Sequence, residues 1–381
     1  MRRSDDLILA TASFLGSAGS AQEYLGYGGL ALAAAVAVAT PAVARLARHH
    51  IADWPRRRVL IAAAAVLVGV VALFAALYPR ANYQSGYRGT DRDDSADIAV
   101  TAVFHGESPY LVSTYLGNEP DITPVEIWLA APARLLAGKS AWQNPLALIV
   151  VAALALWLGR ARPHVGLVAL ALVVTSVGVE REIVTGGGLV AGALFVSAVL
   201  VWMAGLDRAA PPPAVFGVAL GLALSCRPSW AALGPLVLGY LWRVHGGAAA
   251  IRTTLIGAAA ALVAIVPVFV VDPGGFVPWD SAAGFTDLVR RESPLAFAVA
   301  CVIAGAAALI AALRVRPLAS SLFAWLFVVE CAVLLIPVVT QSVGRARVDF
   351  AIFELGYGVQ AVILGVAAWF AANAETPAMT E

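Results

Sequence analysis

The chain has 381 residues, 61% of them hydrophobic and only 13% charged, with a formal net charge of +1. A charged share about half that of an ordinary soluble domain excludes a soluble enzyme and a disordered chain. The near-zero balance leaves no global field for nucleic acid or another polyanion. Repeated apolar runs, close to the ~20 residues that cross a ~30 Å hydrocarbon core, predict a polytopic membrane protein.

In chain order, Leu7 to Ala21 is too short and interrupted to span. Asp5 and Asp6 spoil the basic region of a secretory signal, so an interfacial helix is expected there. Apolar runs follow at about 24–46, 58–78, 144–159, 164–180, 186–205, 213–226, 230–243, 252–271, 295–313, 318–338 and 350–372. They predict an all-α fold: one transmembrane domain over 1–381, a helix bundle of about 10–11 spans. The two short runs 213–226 and 230–243 also read as a hairpin broken at Arg227-Pro228. Arg45, Arg48, Arg56, Arg57, Arg58, Arg160, Arg162, Arg208, Arg243, Arg252, Arg314 and Arg316 crowd short connectors. The positive-inside rule makes those connectors cytoplasmic, which puts the N-terminus outside and the C-terminus inside.

The loop 79–143, after the second span, is long and contains no spanning run. Loops of that length usually have a role. Ser95 to His105 reads as a helix capped by Asp94 or Ser95. Pro124 to Ala137 reads as a second, interfacial helix with Trp128 at headgroup depth. Two further outer loops, 272–294 and 340–349, carry Arg290, Arg291, Arg345 and Arg347.

The string YRGTDRDDSAD, residues 87–97, is the strongest chemical signal. Asp91, Asp93 and Asp94 cannot all ionise without cost, so at least one pKa rises unless Arg88 or Arg92 compensates. A general base for a sugar hydroxyl needs such a carboxylate; a solvated acidic turn capping the next helix is the other reading. The string lacks the spaced ligands of a calcium loop. Arg88, Arg227, Arg290, Arg291, Arg345 and Arg347 fall on the outer face, where guanidinium groups bind phosphate or snorkel to lipid headgroups. Arg227 stands out, in SCRPSW between two apolar runs, with Pro228 and Trp230 to fix a turn and a stacking surface. Tyr110 offers an aromatic face to a sugar, or joins an interfacial belt. His105 either faces substrate or packs. Glu180, Arg181 and Glu182 read as a local surface ion pair, and Glu330 is the one acid deep inside a span. Cys226, Cys301 and Cys331 form no CxxC or Cys/His cluster, so neither a metal site nor a cofactor is expected.

A spanning helix, then GTDRDDSADIAVTAVFHGESPY and LGNEPDITPVEIWLAAPARLLAG, resembles the GT-C superfamily of integral membrane glycosyltransferases. The likeness covers roughly 80–145; GLALSCRPSWAALGPLVLGYLW, 221–242, is similar to a motif whose basic residue precedes a helix lining the lipid-carrier groove. The resemblance implies an outer-loop aspartate as base, here Asp91, Asp93 or Asp94, and an inverting, metal-independent reaction. It implies a polyprenyl-phosphate sugar as donor and a lipid-linked or cell-envelope glycan as acceptor. Arg227, helped by Arg88 or Arg345 and Arg347, would hold the donor phosphate, with Trp230, Tyr110 and His105 around the substrate. The expected setting is a cell membrane, among membrane lipids, with the site on the extracytoplasmic face and no nucleic-acid partner. The rival expectation is a transporter or flippase of lipid-linked intermediates that uses the same arginines and Glu330 as a pathway. Convergence of 91–94 and Arg227 at one outer-face cavity favours the enzyme; a polar track continuing through the bilayer past Glu330 favours the rival.

Overall fold

The computed structural model describes residues 3–81, 91–159, 162–205, 214–271, 277–350 and 357–374. All regular structure among them is helical. The helices before the outer loop are α1 (Arg3–His50) and α2 (Arg56–Ala81). The loop itself holds α3 (Arg92–Phe104) and α4 (Pro124–Ala137). Then follow α5 (Gln143–Leu158), α6 (Pro163–Val174), α7 (Val177–Thr185), α8 (Leu189–Gly205), α9 (Ala214–Ser225) and the single turn α10 (Pro228–Ala231). The chain continues through α11 (Gly234–His245), α12 (Gly247–Val271), α13 (Val277–Glu292), α14 (Pro294–Arg314), α15 (Ala319–Gly344) and α16 (Gly358–Ala374).

Straight, the 48 residues of α1 would extend ~72 Å, over twice the hydrocarbon thickness. They do not run straight. Gly26, at φ 58° and ψ −143°, takes a conformation open only to glycine. Beyond it the chain reverses: Ser13 Oγ lies 3.1 Å from Thr40 Oγ1, and Asp6 pairs with Arg45 at 2.8 Å. The arms 3–25 and 27–50 are therefore antiparallel. The first arm buries Leu9, Ala12, Leu15 and Ala18, and it packs along α16, with Ala12 against Gly365. This corrects two expectations. The first arm is not an interfacial helix, and residues 3–6 lie beside Arg45 and Arg48 instead of across the membrane from them.

Side-chain contacts define two ends of the bundle. At one end Arg48 bonds Asn373, Arg162 donates to the Asn373 carbonyl at 3.1 Å, and Arg243 donates to the Leu313 carbonyl at 2.6 Å. This basic end gathers the short arginine-rich connectors. At the other, Gln22 donates to the Val348 carbonyl at 2.9 Å, Arg181 pairs with Glu23 at 3.1 Å, and Arg345 pairs with Glu292 at 3.0 Å. The long loop with α3 and α4 joins this second, carboxylate end.

Among the described residues, six helical segments are long and apolar enough to cross a membrane, with the α1 hairpin counted once: α1, α2, 140–157, α12, α14 and α15. A seventh is counted if α7 and α8, bent by 116° at their junction, form one span. That is fewer than the 10–11 spans expected, although the apolar runs are helical over most of their described residues. The reason is length: α6 and α9 have 12 residues each, ~18 Å of rise. The chain between α9 and α11 does break at Arg227-Pro228. Trp230, Trp369, Phe74, Phe216 and Phe323 fill the interior, while Leu262 and Val263 of α12 and Val302 and Leu309 of α14 point outward, as helix faces toward lipid do.

Local chemistry sets the loop helices. Thr123 and Glu126 form a reciprocal capping box at α4, Pro124 opens its first turn, and Gly138 closes it at φ 74°. The bounds match those expected, and Trp128 is exposed against the edge of Phe104. α3 begins three residues earlier than expected, with Asp91 at its N-cap and Asp93 and Asp94 in its first turn. Carboxylates there are favoured by the unpaired N–H groups and the helix dipole.

Candidate functional site

Helix geometry gives the three aspartates of α3 different surroundings. Asp91 accepts hydrogen bonds from Thr114 Oγ1 at 2.6 Å and Asn118 Nδ2 at 2.9 Å. Asp94 accepts one from the Tyr115 backbone N–H at 2.9 Å. These two hold the turn 114–118 of the connector against α3. Asp93 faces inward and is 1% exposed; Tyr78, near the end of α2, donates its hydroxyl to it at 2.6 Å. One turn on, Asp97 accepts the Ser140 N–H at 2.7 Å and pairs with Lys139 at 2.9 Å, which anchors the α4–α5 junction to α3.

Burial raises the Asp93 pKa to about 6, against the opposing bond from Tyr78. The Tyr115 phenol is also pushed up, by burial and then by Asp93, Asp91 and Asp94, so its hydroxyl stands in the field of all three carboxylates.

Arg227 caps the N-terminus of α10 and pairs with Glu126 of α4 at 2.7 Å. Thr123 Oγ1 donates to the Cys226 carbonyl at 2.7 Å, which ties the start of α4 to the same break. Burial disfavours the charged guanidinium; Glu126, then Tyr357, Asp121 and Glu182, more than offset that, and the pKa of Arg227 is raised. Arg92 reaches toward the same neighbours. It pairs with Glu182 at 3.5 Å and lies over the Tyr357 ring at 5.8 Å.

The bend between α7 and α8 joins these groups. It consists of Gly186, Gly187 and Gly188. Gly186 has φ 80°, and a Cβ there would stand 2.7 Å from Ala141, 2.8 Å from Tyr78 and 3.1 Å from Asp93. A Cβ on Gly188 would stand 3.6 Å from Gln143 Nε2 and 3.9 Å from Glu126 Oε1. Bare backbone thus fits between Asp93 on one side and the Glu126–Arg227 pair on the other. Glu182 fastens the bend by accepting the Leu189 N–H at 3.1 Å, and Asn144 donates to the Gly187 carbonyl at 2.7 Å.

Several expected site residues lie elsewhere. Arg88 falls outside the described residues. Trp230 is fully buried and packs in the interior, so it offers no stacking face. Tyr110 is 3% exposed and donates to the Ile122 carbonyl at 3.1 Å, a buried pillar of the connector. His105 caps the far end of α3 and is exposed. Arg345 and Arg347 are committed to Asp349 and Glu292 in a separate cluster. Arg181 and Glu182 do not form a local surface pair: Arg181 reaches α1, and Glu182 is buried against Arg92. Tyr78, Tyr115, Glu126, the Gly186–Gly188 bend and Tyr357 carry no motif of their own. Three consecutive glycines, three residues after an acid–base–acid triplet, were the available signal for the bend.

Helix composition, length and the two sorted ends define an all-α, multi-pass integral membrane protein with a buried polar site at one end of the bundle. No family model, curated protein or solved structure matches the chain.

Proposed function

We propose that the protein is a membrane glycosyltransferase that moves a sugar from a polyprenyl-phosphate donor to a lipid-linked or cell-envelope acceptor. One observation supports this reading: Asp93 of the acidic string and the Glu126–Arg227 pair, far apart in sequence, flank the same glycine bend at the carboxylate end. Asp93 is the base. With a pKa near 6 its carboxylate is the dominant form at neutral pH, yet it is basic enough to accept a proton in the transition state. The acceptor hydroxyl attacks the sugar C1 as its proton passes to Asp93, and the C1–O bond to the lipid phosphate breaks. The leaving phosphate is already an anion, so no general acid is required. Arg227, kept protonated and aimed by Glu126, and Arg92, aimed by Glu182, stabilise the added charge. Tyr115, its backbone held by Asp94 and its neighbour Thr114 by Asp91, keeps its phenol in the field of Asp93, where it borders the acceptor's approach.

The test is transfer by purified protein in nanodiscs, with a panel of radiolabelled polyprenyl-phosphate sugars and an envelope-lipid acceptor extract. Transfer that Asp93→Asn removes while donor binding persists supports the reading. Movement of intact lipid-linked sugar across vesicles, without transfer, would replace it with the transporter.

A further inference from the structure

Within α15 a single carboxyl, Glu330, is fully buried, and neither of its oxygens has a hydrogen-bond partner. On α16, Gln360 is 1% exposed; its side-chain oxygen meets Ser229 Oγ at 3.5 Å, while its amide nitrogen has no partner. The two orphans are complementary, an acceptor pair and a donor.

The helix register brings them to one depth. The Phe327 ring lies 3.2 Å from the place a Cβ on Gly365 would take, and α15 and α16 run in opposite directions. From that contact, Glu330 lies three residues toward the carboxylate end and Gln360 five. At 1.5 Å per residue they differ in depth by only ~3 Å. Glu330 is also turned only ~60° from Phe327 about the helix axis, on the half of α15 that meets α16. Ser229 belongs to α10, which packs on α15 as well as reaching α16. Ser229, Gln360 and Glu330 thus step inward from Arg227 into an interior whose other unpartnered polar side chains on α8 and α16 are Ser197 and Trp369.

We infer that Glu330 is a proton-binding site, whose exchangeable proton arrives as hydrated proton from the Arg227 end by way of Ser229 and Gln360. A carboxylate isolated at this depth is too costly, whereas a neutral carboxyl can both donate and accept beside an amide. No opposite charge stands ready to replace the proton. Away from the helix ends, the titratable side chains on α15 and the helices packed on it are Cys331, Cys301 of α14 and Tyr240 of α11. The charged residues of α11 and α14 lie at their basic-end termini, those of α13 lie at the carboxylate end, and α8, α10 and α16 carry no titratable side chain.

The experiment uses the full chain in lipid nanodiscs. Infrared difference spectra against Glu330→Gln should show the carbonyl stretch of a protonated carboxyl. On transfer to heavy water that band should shift, and in Gln360→Leu the shift should be about tenfold slower, the factor for one lost hydrogen-bonded step. A hydrophobic carbodiimide gives a readout on the unaltered protein. The acid adds across N=C=N: its oxygen bonds the central carbon, its proton goes to nitrogen, and the acyl group then migrates to nitrogen with no atom lost. Peptide masses should place the adduct on Glu330, with a yield that falls as pH rises. A missing band, a band that does not exchange, exchange unaffected by Gln360→Leu, or no adduct at Glu330 at any pH overturns the inference. None of these readouts depends on sugar transfer, so the proposed function can fail without them.

Discussion

Asp93→Asn separates chemistry from stability at one atom. The substitution removes the charge and keeps an oxygen for the Tyr78 hydroxyl, which lies 2.6 Å from the carboxylate. The Asp93 pKa rises from 3.8 to about 6 in the fold, so the folded chain holds this proton more tightly than the unfolded one. Below about pH 4 both states are protonated and the site costs nothing. Between about pH 4 and 6 the unfolded chain ionises first, stability falls as pH rises, and the full cost of ~3 kcal/mol is present above about pH 6. The variant should therefore be more stable than wild type near neutral pH, by up to ~3 kcal/mol, and equal to it below about pH 4. Transfer should fall by roughly 10²–10⁴ if Asp93 is the base. Wild-type activity should climb as pH rises through about 6. Thermal melts in detergent across that range, beside the radiolabel assay, read both quantities. Full transfer in the variant would remove Asp93 from the mechanism. A loss of stability at neutral pH would refute the account of its burial.

Arg227→Ala strands Glu126 without its counter-charge and should cost ~3–5 kcal/mol. Adding Glu126→Gln should recover most of that melting temperature and none of the transfer; recovery of both would take the pair out of phosphate binding. Cysteines at Ser13 and Thr40 should cross-link under mild oxidation, because the hydroxyls they replace are 3.1 Å apart. On an unbroken helix those positions would stand ~40 Å apart, so an absent cross-link contradicts the hairpin. Gly186→Ala forces a left-handed backbone on alanine and drives a methyl against Tyr78 and Asp93, at a cost of ~1–3 kcal/mol. Its transfer rate should drop further than its melting temperature explains, whereas a parallel fall would assign the bend to folding alone.

Hydropathy made most of the helices legible, since runs such as 252–271 and 295–313 have one stable form in hydrocarbon. The ends of α4 were legible because Thr123, Pro124, Glu126 and Gly138 each satisfy a terminus locally. The reversal at Gly26 was not: a count of apolar residues cannot distinguish a helix that continues from one that folds back, and only the backbone angles of one glycine separate them. The acidic string announced chemistry near Asp91–Asp94 but not its division of labour. Which aspartate turns inward depends on Tyr78 from α2 and Gly186 from the α7–α8 bend, neither adjacent in sequence. Arg227 was visible as a charge between apolar runs. Its partner was not, because nothing in the run Pro124 to Ala137 marks Glu126 as turned inward; the capping box with Thr123 and the ion pair with Arg227 do so in the fold.

The seam between the first arm of α1 and α16 has a consequence for biogenesis. Ala12 rests on Gly365, and a side chain at Gly16 would collide with Val362, so the fit leaves no room for lipid between the two helices. Yet about 340 residues separate Gly16 from Gly358, which at ~5–20 residues per second is roughly 20–70 s of translation. α6 and α7 emerge earlier and can pack on the arm, where Gly178 meets the Gly16 backbone, but the face that takes α16 has no protein partner until the end of that interval. Closure must wait until α16 leaves the translocon. A ribosome stalled or a message truncated ahead of Gly358 therefore yields a bundle that is inserted but left open along one side, a form that membrane quality-control proteases are suited to recognise.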